Sequence, residues 1–93
     1  MEYNVFFSKR FTNSLKRLKQ WKGFRSEKLR EVIRLLAHRE VLPSQYRDHA
    51  LVGDMLGFRE CHIAPDILII YEVRDTTITL TLIDIGKHAQ LFK

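Results

Sequence analysis

Three β-prone segments in the second half of the chain are separated by very short connections, and this spacing limits the folds that the chain can adopt. The segments span residues 58–63, 67–73 and 77–85, with three residues between one segment and the next. Parallel neighbours in a sheet need a long crossover, whereas connections this short allow only hairpins. We therefore predict that the three segments form an antiparallel meander.

The residue pattern within these segments indicates which faces are buried. Residues 67–71 are continuously apolar, as expected of a central strand. Residues 77–82 alternate threonine with isoleucine or leucine, which is typical of a strand with one open face. Because side chains alternate along a strand, Glu60 and His62 share the open face, and Cys61 lies on the face that we assign to the core.

The first part of the chain predicts a strand followed by two helices. Residues 3–7 are β-prone, Ser8 can cap a helix with apolar residues at helical spacing, and Gly23 can end that helix. A second apolar stripe follows Ser26, and residues 39–55 contain enough chain breakers to predict a loop.

Together these elements predict an α+β fold with the order β-α-α-β-β-β. Two antiparallel helices are expected to pack on one face of an antiparallel sheet, and a short C-terminal tail follows the last strand. We expect one domain, residues 1–93, because a chain of this length can bury one core without needing disulfides.

The charge of the chain is unevenly distributed. The net charge is +5, but residues 1–39 hold eleven Lys or Arg against three Asp or Glu, whereas residues 40–93 hold five against eight. A basic half of this kind favours binding to a polyanion, since each neutralised phosphate releases condensed counterions. Two helices with solvated basic faces would give the same composition, so nucleic-acid binding remains one of two explanations.

The expected location of the protein is a reducing cytoplasm. No stretch is long and apolar enough to span a bilayer, so no membrane partner is expected. The first residues lack the charged-then-apolar pattern of a signal peptide. Cys61 is the only cysteine, which excludes an internal disulfide and a cysteine-based zinc site.

The meander is expected to bring three titratable side chains to one edge. His62 ends the first strand of the meander, Asp66 precedes the second, and His88 follows the third, while His49 could approach from the loop. Imidazole gives or takes a proton near neutral pH. Because RNA supplies its own nucleophile, the 2′-hydroxyl, these groups are sufficient for cleavage without a metal or a covalent intermediate.

Each of these residues also has a purely structural explanation. A single histidine at a strand end is more often a surface residue than a catalyst, and Asp66 can be a turn residue after Pro65. Phe92 could stack on a base or simply pack the tail against the sheet. A metal site formed by the histidines and Asp66 is possible, but their spacing matches no specific ligand signature.

Three blocks of sequence resemble the YafQ-like toxins of the RelE/ParE superfamily. Residues 46–53 resemble the pattern Y-x-D-H-x-L-x-G, residues 57–66 resemble G-x-R-x-x-H-x-x-P-D, and residues 86–92 resemble G-x-H-x-x-L-F. Each block alone is weak, but together they are specific, and the resemblance covers essentially the whole chain. The order of strand, two helices and three strands is also similar to that of the family.

The resemblance implies a RelE-like fold and a toxin of a type II toxin–antitoxin pair. Such a toxin is an endoribonuclease that cuts mRNA in the ribosomal A site, uses no metal cofactor and leaves a cyclic phosphate. It also implies a cognate antitoxin that binds the toxin in a hetero-oligomer and silences it. The catalytic residues implied are His49, His62, Asp66 and His88.

Roles for these residues also follow from the resemblance. Asp66 with His62 or His49 would abstract the proton and support the transition state, and His88 would protonate the leaving oxygen; which imidazole is acid and which is base stays open. The expected substrate-binding residues are Phe92, Lys87, Arg59, Lys16, Arg17 and Lys19.

One position departs from the family pattern in a way that affects the chemistry. Family members commonly carry an arginine two residues before the glycine of the last block, where this chain has Asp84. An arginine there would stabilise charge on the phosphate, and a carboxylate facing the substrate would oppose it. Lys87 or Arg59 could substitute. Asp84 therefore keeps one rival function open, a toxin that only binds antitoxin or ribosome. A second rival is a ParE-like inhibitor of DNA gyrase, which would have the same fold but no need of the histidine–aspartate cluster that this chain retains.

Overall fold

The computed structural model describes residues 2–92, so Met1 and Lys93 of the predicted domain 1–93 lie outside the described residues. Two short 3₁₀ turns lie at Ser44–Tyr46 and Gly53–Met55. The helices and strands are, in chain order, β1 (Asn4–Phe7), α1 (Lys9–Leu18), α2 (Ser26–Ala37), β2 (His49–Ala50), β3 (Arg59–Ala64), β4 (Ile67–Arg74), β5 (Thr79–Lys87) and α3 (His88–Leu91).

The strands form one sheet in the order β1-β5-β4-β3-β2. The predicted meander is confirmed, since β3 pairs antiparallel with β4 and β4 pairs antiparallel with β5. The structure differs from the prediction at one pair, because β1 runs parallel to β5, with Val5 opposite Leu80. The long chain segment between these two strands, which includes both main helices, supplies the crossover that parallel neighbours require.

The sequence pattern did not predict the short strand β2 or the short helix α3. The predicted loop at residues 39–55 contains β2, in which His49 pairs with Glu60 of β3. The predicted tail contains α3, a single helical turn. A strand of two residues and a helix of four are too short to show a hydrophobic period, so neither could be recognised from periodicity.

One helix boundary also differs from the prediction. Ser8 caps α1 as expected, since its Oγ accepts a hydrogen bond from the backbone N–H of Phe11 at 2.9 Å. However, α1 ends at Leu18 rather than near Gly23. A Cβ at Gly23 would lie 2.7 Å from the ring of Trp21, so the glycine is explained by this packing. The second helix begins at Ser26, as the sequence predicts.

The core lies between the two main helices and one face of the sheet. Phe11 of α1 and Val32 of α2 are fully buried against strand residues that include Ile69 and Leu82. Cys61 is also fully buried in this cluster, which confirms the predicted assignment of faces in β3. Burying side chains of this size contributes roughly 1.5–3 kcal/mol each, so this layer is the main favourable term in folding.

The burial of Cys61 makes its thiol a reporter of global unfolding. Burial raises the pKa of the thiol to about 12, so the reactive thiolate is almost absent near neutral pH. We expect Ellman's reagent to modify Cys61 only as fast as the protein unfolds. A Ser44→Cys variant, which adds a thiol at an exposed position, should react at once at that second site. Reaction of native Cys61 at the same rate as the exposed thiol would contradict this assignment.

Candidate active site

A histidine and a buried carboxylate meet where β2 pairs with β3. Nε2 of His49 lies 2.8 Å from Oε1 of Glu60, and the Glu60 side chain is only 9% exposed. A carboxylate can only accept, so Nε2 of His49 carries the proton in this bond. Nδ1 of His49 lies 3.1 Å from the carbonyl oxygen of Ala50. The hydrogen bond to the buried carboxylate orients the ring at the edge of the sheet.

His62 lies two residues further along β3, on the same face as Glu60. Its Nε2 is 3.8 Å from Oε1 of Glu60, which is ion-pair distance but too long for a hydrogen bond. Burial lowers the pKa of His62, and positive charge on Arg47, His49 and His88 lowers it further, while Glu60 opposes the shift. His62 is therefore neutral at neutral pH, which is the state required of a proton acceptor.

The other two predicted catalytic residues lie at the same end of the meander. Leu68 of β4 pairs with His62 on one side and with Gly86 on the other, so α3, which begins at His88, follows β5 at the strand end nearest His62. Asp66 is exposed in the turn between β3 and β4. The structure therefore brings the four predicted groups to one region of the sheet, with His49 arriving through β2.

Phe92 packs against a catalytic candidate. Its ring centroid lies 4.8 Å from that of His88, with the two planes inclined by 40°. Since the two residues are one helical turn apart, this contact orients the imidazole of His88. The predicted stacking on an RNA base stays a prediction, but the ring also has this role within the protein.

A polar network behind His49 escaped the sequence analysis. The hydroxyl of Tyr71, a buried residue of β4, donates to Asp48, and Nη2 of Arg59 donates to the same carboxylate at 3.2 Å. Burial and the bond to Asp48 raise the pKa of Tyr71, so it stays protonated and able to donate. Because Asp48 directly precedes His49, this network fixes the start of β2.

The network also changes the interpretation of Arg59. We expected Arg59 to contact the substrate, but its guanidinium is bound to Asp48 and to the hydroxyl of Tyr71. Glu60 was visible in the sequence through its period of two with His62, yet it was given no role. Asp48 and Tyr71 are 23 residues apart, and no local pattern links them.

Asp84 does not stand free at the histidines. Its Oδ1 accepts a hydrogen bond from Oγ of Ser14 at 2.6 Å, and its Oδ2 lies 3.5 Å from Nε of Arg10. Both carboxylate oxygens therefore contact side chains of α1. Asp84 lies in the part of β5 that follows the residues paired with β1. The negative charge at this position thus faces the hydroxyl of Ser14 and one cation of the protein itself, Arg10.

A basic cleft of about 790 Å³ lies beside Asp84, between α1, the end of β5 and α3. Two of the predicted substrate-binding residues, Arg17 and Lys87, line this cleft. The ammonium of Lys87 lies 4.9 Å from the centre of the Trp21 ring. Lys16 and Lys19 are exposed on and just after α1 and do not line the cleft.

Two further properties concern the described residues only. No helix within residues 2–92 is long and apolar enough to cross a membrane. In the same part of the chain, no three His, Cys, Asp or Glu side chains are grouped as they would be around a metal ion.

Comparisons with known proteins agree with the fold described above. The family described as bacterial toxin of type II toxin-antitoxin system, YafQ, matches residues 3–93. The mRNA interferase toxin YafQ of Escherichia coli K12 is 33% identical over 93 residues, which cover 99% of this chain and 94% of that relative. The chain thus has the fold of a type II toxin. More narrowly, the chain belongs to the YafQ family.

Solved structures show the same architecture. A metal-bound toxin from Helicobacter pylori is 38% identical and superposes with a TM-score of 0.89, covering 99% of this chain and 100% of that one. In the DinJ–YafQ complex of Escherichia coli, the matching chain is 31% identical with a TM-score of 0.86, at coverages of 99% and 100%. The strand order and the position of the helices are therefore family features.

The position of Glu60 predicts a change in the titration of His62. We expect Glu60→Gln to lower the pKa of His62 further, because the carboxylate that favours the imidazolium is removed. The glutamine oxygen can still accept from His49, so the fold should be retained. The measurement is an NMR titration of the His62 ring protons. Glu72→Gln is the matched control, since Glu72 pairs with Arg74 rather than with a histidine; an equal shift in both variants would refute the assignment.

Proposed function

We propose that this protein is an endoribonuclease toxin that cuts mRNA in the ribosomal A site by acid–base catalysis without a metal. The observation that carries the proposal is His62: a half-buried imidazole, kept neutral by its surroundings, next to the His49–Glu60 pair and near the start of α3 at His88. The names of the relatives support the same substrate class, since the Escherichia coli protein is called an mRNA interferase.

The reaction needs one proton acceptor and one donor. His62 accepts the proton of the 2′-hydroxyl, and Asp66 in the adjacent turn assists the abstraction. The 2′-oxygen attacks the phosphorus, and the bond from phosphorus to the 5′-oxygen breaks. His88 gives its proton to that leaving oxygen. The products are a 2′,3′-cyclic phosphate and a free 5′-hydroxyl, and each imidazole ends in the protonation state in which the other began.

His49 and Glu60 support this exchange from the side. The carboxylate holds His49 by a hydrogen bond of 2.8 Å, and it lies close enough to stabilise His62 once that ring has taken the proton. The cost of keeping Glu60 buried is offset by its hydrogen bond and by this developing ion pair.

The basic half of the chain holds the RNA and the ribosome. Exposed cations of α1 such as Lys16 and Lys19 supply sequence-independent attraction to phosphates. The cleft beside Arg17 and Lys87 adds a concave basic surface next to α3.

A cognate antitoxin is the expected partner in the cytoplasm. The solved DinJ–YafQ toxin–antitoxin complex of Escherichia coli supports a hetero-oligomer of toxin and antitoxin. An antitoxin that covers the basic face would compete with the ribosome for it.

The decisive test is cleavage of ribosome-bound mRNA in a cell-free translation reaction. We expect native protein to cut the message, and His62→Ala or His88→Ala to reduce the single-turnover rate by about 10²–10⁴-fold. His38→Ala is the matched control, because His38 lies at the end of α2 and pairs with Glu2 at 3.1 Å. This variant should cut as fast as native protein.

Other outcomes point to the rival functions. Intact mRNA with folded, antitoxin-free protein would refute the nuclease. Gyrase inhibition by that preparation would then favour a ParE-like toxin, and ribosome binding alone would favour a toxin that has lost its chemistry.

The pH dependence of cleavage should report His62. A base must be neutral to act, so the rate falls as the pH drops through its pKa. Because burial lowers the pKa of His62 from the ordinary histidine value of 6.5, the acid limb should have its midpoint below that value. Single-turnover cleavage from pH 5 to pH 8 measures it, and Glu60→Gln should move the limb to still lower pH. An acid limb centred above pH 6.5 would assign the base to another group.

A further inference from the structure

A second, smaller pocket opens on His62 from the side of the 3₁₀ turn at Ser44–Tyr46. It has a volume of about 200 Å³, and its charged lining residues are Lys28 of α2 and Arg47. None of the described residues that line this pocket carries a carboxylate. The volume is below the range of drug-sized ligand sites, so the pocket suits a single small group.

One ring nitrogen of His62, a residue that lines this pocket, lacks a hydrogen-bond partner among the described residues. Its Nε2 faces Glu60, whereas its Nδ1 is buried and has no hydrogen-bond partner among residues 2–92. Buried polar atoms are nearly always paired, and those that are not often mark a functional site. The pocket therefore combines two cations with an unsatisfied ring nitrogen.

Arg47 is held at this pocket by an uncommon backbone conformation. Its φ is 46° and its ψ is 47°, in the left-handed region that non-glycine residues rarely occupy. Its backbone N–H donates to the carbonyl oxygen of Ser44 at 3.0 Å, which ends the 3₁₀ turn. No carboxylate of the described residues lies within ion-pair distance of its guanidinium. An available cation thus lines the pocket beside a catalytic candidate.

The two cations that seemed able to replace the family's arginine at position 84 are committed elsewhere. The guanidinium of Arg59 is bound to Asp48 and Tyr71. The ammonium of Lys87 stacks on the ring of Trp21 in the cleft beside α1. Arg47 is the cation that remains next to His62.

We propose that this pocket binds an RNA phosphate adjacent to the scissile one, with Arg47 as the main cation and Lys28 as the second. The inference rests on the proposed ribonuclease function and adds a subsite to it. A phosphate there places the neighbouring 2′-hydroxyl against His62, so Arg47 contributes through substrate position. An arginine suits this role because its guanidinium can donate two parallel hydrogen bonds to a phosphate.

The first experiment measures binding of inorganic phosphate by NMR at constant ionic strength. We expect saturable shifts of the His62 ring and of the backbone signals at residues 46–48 in native protein. Arg47→Gly should weaken this binding about tenfold, as expected when one of two phosphate cations is lost. Arg30→Gln is the matched control: it removes an exposed cation of α2 that does not line the pocket, and it should bind as native protein does.

Glycine is chosen at position 47 because it separates a binding role from a structural one. Glycine tolerates positive φ, so Arg47→Gly should unfold at a Tm no lower than that of native protein while it loses phosphate. Arg47→Lys should retain most of the affinity. Lys28→Gln tests the second cation independently, at a position on α2. This variant should weaken phosphate binding severalfold. Phosphate shifts that are absent, or unchanged in both Arg47→Gly and Lys28→Gln, would overturn the inference.

Cleavage assays separate this inference from the proposed function. Arg47→Gly should raise KM for ribosome-bound mRNA about tenfold more than Arg30→Gln does. If native protein cuts mRNA and Arg47→Gly cuts it with the same KM and kcat, the nuclease stands and the subsite is refuted. If native protein binds phosphate in the pocket but cuts no mRNA, the anion site stands and the nuclease is refuted.

Discussion

The burial of β4 between two antiparallel neighbours is the constraint on which the site depends. Ile69 lies in the core, and Leu68 beside it pairs with both β3 and β5. The two-residue turn between β3 and β4 fixes their register, because loop length determines how the strands of a hairpin pair. This register, continued in the pairing of β4 with β5, places His62 and Gly86 opposite the same residue, Leu68. Strand pairing thus brings the candidate groups to one end of the meander, and contacts such as the His49–Glu60 hydrogen bond orient them there.

Burial and the charge on Glu60 have opposite effects on the pKa of His62. Removal from water disfavours the imidazolium, whereas Glu60 at 3.8 Å favours it, and the net result is a lowered pKa. This balance favours the neutral imidazole of His62 in the resting protein. It also leaves the Glu60 carboxylate close enough to stabilise the ring if it is protonated. A pair with His49 alone would not achieve this, because two imidazoles repel when both are protonated. The carboxylate that sequence analysis left without a role therefore becomes central to how the cluster works.

Much of the fold could be predicted because it follows from local patterns. The meander, the face that carries Cys61 and the cap at Ser8 are determined by alternation, short connections and one side-chain oxygen. The parts that escaped prediction depend on contacts between distant residues. The direction of Asp84 is set by Ser14, 70 residues earlier, and the hydrogen bond of Asp48 is made by Tyr71. A substitution that seemed to threaten catalysis is, in three dimensions, a contact between a strand and a helix.

The position of β5 between β1 and β4 has a consequence for the order of folding. β5 follows every other strand in the sequence, yet it is the strand that joins the first strand to the rest of the sheet. Contacts such as Ser8 to Ile83 span 75 residues, and closing loops of that length slows folding. A chain that has been translated only as far as β4 holds two separate halves, with neither a closed core nor His88. A ribosome making this protein therefore carries no assembled active site until β5 has been synthesised and inserted.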